Sequence, residues 1–189
     1  LSHYIREKIV SGQDSIWIAQ RSGRAKDGND LTQTALLKML NIAGDGSMSA
    51  NFEKLRIVPL AISYEYEPCD MLKTEELVHR DLDLPYIKDD KMAIIRGIRD
   101  FKGRIQMSIG KPFTAEDYAA LGEEKKRNTW IKNLATELDH RIQSLYRLWP
   151  THYIAHDILE EREQFAAQYS DSDKERFLGH IEKRMKEMK

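Results

Sequence analysis

The sequence predicts an α/β fold, a mostly parallel sheet flanked by helices, and three observations carry that expectation. Apolar runs at 15–19 ("SIWIA") and 55–64 ("LRIVPLAISY") have the length and composition of sheet-interior strands. A third run, "GRIQMSIGKPF" at 103–113, alternates Ile105, Met107 and Ile109 and reads as a half-buried strand ending at Gly110. Segments of helical period separate the runs, and strands alternating with helices favour parallel pairing.

Each element has its own signal. Leu1, Tyr4, Ile5 and Ile9 share one face of a helix over 1–11, with Gly12 as its C-cap. After the first strand, "QRSGRAKDGND" is a loop, and Leu31, Ala35, Leu36, Met39 and Leu40 mark a helix to about residue 41. "AGDGSMSAN" at 43–51 reads as a turn-rich surface loop. Pro59 in the second strand donates no N–H, so it implies an edge, a bulge or a strand end. Residues 66–89 are mixed and charged, with a short helix predicted near 72–79. Met92, Ile95, Ile98 and Phe101 fall on one face of a further helix. The stretch 115–147 is helical, with Ile131, Leu134, Leu138, Ile142 and Leu145 recurring at helical spacing. Pro150 breaks it, and a polar helix or helix pair follows over 153–188. The expected division is an α/β region over 1–113 and a helical C-terminal region over 114–189.

Composition narrows the function. A hydrophobic content of 41% over 189 residues supports a sizeable core. Lys+Arg number 30 against 31 for Asp+Glu, so no global charge draws the chain to nucleic acid, although a local anion site needs only a few cations. The single cysteine, Cys69, excludes an internal disulfide and suits a reducing compartment. It lies between acids in "EPCD", which disfavours a thiolate. No apolar run approaches the ~18–20 residues of a membrane-spanning helix. The first residues are already amphipathic, which leads us to expect that the chain enters in mid-fold, with an N-terminal segment or a partner chain beyond it.

The loop after "SIWIA" carries the chemistry. In a parallel sheet a strand-to-helix loop lies at the carboxyl edge, where open α/β folds bind ligands. Gly23 and Gly28 let backbone amides approach an anion, Arg24 and Lys26 supply charge, and Arg21 could add to it. The following helix offers its positive end. A phosphate monoester is the natural guest. A basic surface loop with turn glycines is the alternative, and the spacing does not match a nucleotide P-loop.

"RSGRAKDG" resembles the third motif of the glycerolipid acyltransferases, the glycerol-3-phosphate and 1-acylglycerol-3-phosphate acyltransferase family. Bacterial members read Glu-Gly-Gly-Arg-Ser-Arg-Thr-Gly there. Aligned without gaps, the chain keeps Gly23, Arg24, a basic Lys26 and Gly28, while Arg21 and Ser22 replace the family's glutamate and first glycine. The fourth motif, Val-Pro-Val/Ile-x-Ile, often followed by Tyr-Glu, is matched by "IVPLAISYE" at 57–65. "GRIQMSIGKPF" is similar to a later family strand, Gly-x-Val-x-Val-x-Phe-Gly-x-Pro. Order and approximate spacing agree over residues 1–113.

The resemblance implies transfer of a fatty acyl group from acyl-CoA or acyl carrier protein to a hydroxyl of glycerol-3-phosphate, a lysophospholipid or a related precursor. These thioesters would be co-substrates, and no cofactor or metal is implied. Gly23, Arg24, Lys26 and Gly28 would bind the acceptor phosphate, and Pro59 would shape the pocket wall. The site would be cytoplasmic, with the protein peripheral at the inner face of the cell membrane. The exposed side of 123–148, with "EEKKR", Lys132, Arg141 and Arg147, could touch anionic lipid, though a solvated helix face explains it as well. The family's catalytic His-x-x-x-x-Asp precedes the glycine-arginine loop by several tens of residues. Here only twenty residues precede the loop, and Lys8 stands five positions after His3. The catalytic residues are therefore expected outside this chain. A non-catalytic binding or scaffold module is the alternative, and a phosphate-ester hydrolase or nucleotide-binding protein a more distant one.

Three patterns imitate sites. His152 and Asp157 have the catalytic interval but follow all the other motifs, and five helical residues separate two side chains by about 140°. His152, His156 and Glu160 share one side of a helix, which could bind a metal but equally makes a solvated face. "HRDLDL" at 79–84 echoes a kinase catalytic loop without its downstream Asn or a glycine-rich loop.

Overall fold

The computed structural model describes residues 1–23, 28–87 and 89–187. In chain order the elements are α1 (Ser2–Val10), α2 (Thr34–Asn41), α3 (Met48–Leu55), β1 (Leu60–Tyr64), α4 (Asp70–Asp81), α5 (Asp90–Arg99), β2 (Ile105–Ile109), α6 (Ala115–Ala120), α7 (Arg127–Leu145), α8 (Pro150–Leu159), a 3-10 turn (Ala166–Gln168) and α9 (Asp171–Glu187).

The expected mostly parallel α/β sheet is not the architecture. The described residues are mainly helical, with one sheet of two strands, β1 and β2. These pair antiparallel: Gly110 N–H donates to Pro59 O at 2.9 Å at one end, and Glu65 N–H to Arg104 O at 2.9 Å at the other. Two departures explain the difference. Residues 15–19 take no regular secondary structure and join no sheet among the described residues; Ile16 and Ile18 lean on the core while Trp17 between them is exposed. The predicted 55–64 strand is shortened, because Leu55 completes α3. Arg56 then takes a left-handed φ of 49°, and the strand begins only after Pro59. Pro59 thus stands at a strand end, where its missing N–H costs no ladder bond.

The chain divides into two compact units. One comprises Leu1–Ala61 and Ser108–Tyr146. Its core joins Ile5 of α1, Leu37 and Leu40 of α2, Met48, Phe52 and Leu55 of α3, Phe113, Tyr118, and Trp130, Ile131 and Leu134 of α7. Phe52 stacks on Trp130 with ring centroids 5.7 Å apart, and Phe113 on Tyr118 at 5.5 Å. Such pairs add to the area each ring buries. Ser47 caps α3, and Glu124 accepts the N–H groups of Met48 and Ser49 at 2.8 and 3.1 Å, so the orphan donors of that helix are satisfied. The 115–147 helix breaks at Gly122, whose φ is 99°. Arg141 lies over the Phe113 ring at 3.9 Å and pairs with Asp117 and Glu137, so it is not a free lipid-facing cation.

The other unit comprises Ile62–Met107 and Arg147–Lys189. Trp149 is buried, and its indole N–H donates to Ser63 O at 3.3 Å. Arg104 and Arg147 lie 4.9 and 4.4 Å from its ring centroid. Glu65 accepts two bonds from the Arg104 guanidinium, at 2.8 and 3.0 Å. Pro150 does not end a helix here: it occupies the first turn of α8, where its missing N–H is harmless. Asp70 of α4 holds α9 through Arg184 at 3.0 Å and His180 at 3.3 Å. Cys69 is buried with its thiol 3.3 Å from Ala93 O. No helix among the described residues is long and apolar enough to cross a membrane.

Candidate functional site

The glycine-arginine loop follows the apolar 15–19 segment. Gly23 and Gly28 both have φ of 77°, the left-handed region that side-chain-bearing residues rarely enter. Among the described residues no atom outside the chain neighbours lies within 4 Å of where a Cβ would stand on either, so the backbone conformation is what calls for glycine. Arg24 and Lys26, the expected phosphate-binding cations, lie outside the described residues.

The flanks of the loop are fastened to one another. Gln33 N–H donates to Gln20 O at 2.9 Å, and Gln33 Oε1 accepts from Ser22 N–H at 3.2 Å. The Gln20 amide donates to Asp30 O at 2.7 Å, and Arg21 pairs with the Asp30 carboxylate at 2.8 Å. Arg21, expected as a possible extra anion ligand, is thus a strut across the loop base. One oxygen of Asp139 on α7 accepts both the Thr32 N–H at 2.8 Å and the Thr32 hydroxyl at 2.6 Å. Asp139 and Thr32 are both buried, so this clamp works away from water. The helix expected from about residue 30 begins at Thr34, directly after the clamp.

Pro59 is placed differently. It is buried, and its ring would lie 2.8 Å from a Cβ on Gly110, with Leu145 at 3.0 Å. That approach requires glycine at position 110. The described interactions of Pro59 run to the end of β2, whereas those of the loop flanks run to Gln33 and Asp139.

The imitating patterns resolve into packing. His152 Nδ1 accepts the Trp149 N–H at 3.0 Å, half of a capping box at the start of α8. Burial lowers its pKa, so the neutral, accepting form is favoured. Asp157 accepts the Phe165 N–H and the Tyr169 hydroxyl, each at 2.9 Å. The two side chains serve different partners and form no dyad. An open pocket of about 300 Å³ beside Asp157 mixes Glu161 and Glu163 with Arg162 and Lys174 and has no nucleophile-base pair. Among the described residues no His, Cys, Asp or Glu group has metal-binding geometry. His79 of the kinase-like string contacts Pro85 O through Nδ1 at 2.8 Å.

The sequence reading missed the Asp139 clamp and the Gln33 fastening. Asp139 had a signal, since it sits beside Leu138 inside the apolar pattern of α7, where an acid is rarely buried without a partner. Gln33 had none. Set against protein-family models, curated proteins and solved structures, the chain matches none of them.

Proposed function

We propose that the chain carries the acceptor-binding part of a glycerolipid acyltransferase. Such an enzyme moves a fatty acyl group from acyl-CoA or acyl carrier protein to a hydroxyl of a phosphorylated glycerol or lysophospholipid. The observation that carries the reading is the order of three motifs: "SGRAKDG" at 22–28, "IVPLAISYE" at 57–65 and "GRIQMSIGKPF" at 103–113. Two geometric facts support it. Both loop glycines adopt a conformation that favours glycine, and the loop flanks are pinned to each other and to α7. A pinned loop limits the ordering cost of gripping an anion. Arg24 and Lys26 would hold the acceptor phosphate between Gly23 and Gly28, and Pro59 would contribute to the pocket wall.

The chemistry needs a base for the acceptor hydroxyl, which attacks the thioester carbonyl and releases the thiol. His152 and Asp157 do not supply it, because each is committed to a packing role. A non-catalytic binding module is the second reading, and Arg21 in place of the motif's glutamate favours it. Peripheral association with a membrane belongs to the enzyme reading, since its acceptors reside there.

The test is Arg24→Ala. Calorimetric titration with glycerol-3-phosphate and with 1-acylglycerol-3-phosphate should show affinity falling about tenfold or more, because a charge-assisted bond contributes about 1.5–3 kcal/mol. In a longer protein that also carries the catalytic His/Asp, acyl transfer from a thioester should fall in parallel. Binding without transfer by a longer protein that carries that His/Asp favours the module; unchanged binding in the variant removes Arg24 from the site.

A further inference from the structure

Helix α5 is amphipathic with its apolar side outward. At about 100° per residue, Ile94, Ile98, Lys91, Ile95, Arg99 and Met92 fall within one arc of about 160°. The inward arc holds the small residues Ala93, which is buried, and Gly97. Within the outward arc Ile94 is 59% exposed and Ile98 75%. Ile87 before the helix is 91% exposed, and Phe101 after it 68%. A run of large apolar residues this exposed marks a docking surface rather than scattered surface hydrophobes.

The charges on that face choose among occupants. Lys91 lies between Ile98 and Ile95 and Arg99 between Ile95 and Met92, both are exposed, and neither has an ion pair among the described residues. No carboxylate lies inside the arc. Asp89 is occupied in capping Met92 N–H, and Asp90, at the rim, already has a partner. A second copy of the chain docked through this face would enclose four cations with no anion of the face to meet them, a costly burial. An anionic lipid surface meets both requirements. Its acyl region takes the isoleucines and Phe101, and its headgroups take Lys91 and Arg99, whose long stems let the charged ends reach outward.

We infer that the outward arc of α5, with Ile87 and Phe101 at its ends, forms a docking face for an anionic lipid surface. The inference deepens the proposed function and rests on it for preferring lipid over a soluble acidic partner; the exposure and charge are independent of it. Flotation with phosphatidylcholine vesicles, alone or with about one third phosphatidylglycerol, tests the face without any acyl substrate. The chain should float with the anionic vesicles and only weakly with the neutral ones. Ile94→Glu with Ile98→Glu should abolish flotation, and Lys91→Glu with Arg99→Glu should weaken it roughly tenfold or more. Ile158→Glu, at an exposed apolar position on α8, should leave it intact. Circular dichroism checks that each variant folds. The inference is overturned if the unaltered chain stays off anionic vesicles, or if the α5 variants float normally. It is also overturned if light scattering shows a dimer that the isoleucine variant dissolves, or if the face instead captures a soluble partner. Acceptor binding that persists without vesicle binding overturns the docking face alone; vesicle binding without acceptor binding overturns the acyltransferase reading alone.

Discussion

Replacing Asp139 by alanine tests whether α7 holds the glycine-arginine loop in place. The Asp139 carboxylate accepts two bonds from Thr32, at 2.8 Å from N–H and 2.6 Å from the hydroxyl, and both residues are buried. A bond to a charged acceptor contributes about 1.5–3 kcal/mol, and a buried donor left without a partner costs about 1–3 kcal/mol. The two bonds share one oxygen and one partner residue, so their effects do not simply add. Asp139→Ala should therefore cost about 3 kcal/mol, and Asp139→Asn, which retains an acceptor oxygen of the same shape, about 1 kcal/mol. Urea unfolding reads the total. Native-state hydrogen exchange reads its location: the Thr32 amide should exchange roughly a hundredfold faster in Asp139→Ala, with Gln33 and Ser22 following as the flanks part. A midpoint shift worth less than about 0.5 kcal/mol, or a Thr32 amide that stays protected, would refute the clamp.

Two further outcomes follow from other contacts. A Cβ on Gly44 would fall 2.1 Å from Asn51 Cγ, whereas one on Gly46 meets nothing closer than 3.6 Å. Gly44→Ala must displace Asn51 from its bonds to Asn41 and Gly46 and should cost about 2–3 kcal/mol, against less than about 1 kcal/mol for Gly46→Ala; equal thermal shifts would contradict this. Asp117, hydrogen-bonded by the Arg141 guanidinium and by Thr114 N–H, has its pKa lowered from 3.8 to about 2. The folded pKa lies below the unfolded one, so the stabilisation is complete above about pH 4 and is lost as pH falls toward 2. With a partly exposed pair it is worth about 1–2 kcal/mol, and Asp117→Asn should flatten the acid limb of the stability profile in that window.

What the sequence made legible was period. Helical spacing located α1, α2 and α5, and alternation located β2 to its last residue before Gly110. The miss at α3 shows how composition can mask period. Met48, Phe52 and Leu55 already lie at i, i+4 and i+7 behind a Ser47 cap, yet the two glycines and Asn51 in "AGDGSMSAN" read as a loop. Asn51 is in fact buried, and it binds the turn containing Gly46 back onto α2. The parallel sheet failed for another reason. An apolar run of five residues fits an extended segment on a core as well as a strand in a ladder, and pairing is a non-local property that 15–19 does not encode by itself.

The same limit governs the candidate site. The loop was found because glycines and cations cluster in the chain, but what fastens it comes from Asp139, more than a hundred residues later, and no local pattern joins the two. The α5 face makes the converse point. Spacing correctly gathered Met92, Ile95 and Ile98 on one side of a helix, and burial was the natural expectation for that side. Periodicity, however, states only that a helix has an apolar side; which body covers it is decided by what else is present. Here the small Ala93 and Gly97 take the inner position and the isoleucines are left outside. An apolar arc that also carries two cations without an ion pair among the described residues is poorly suited to a protein interior, where each would need an anion. It is better suited to a boundary between hydrocarbon and negative headgroups, which is why the inference takes lipid as the occupant of this side.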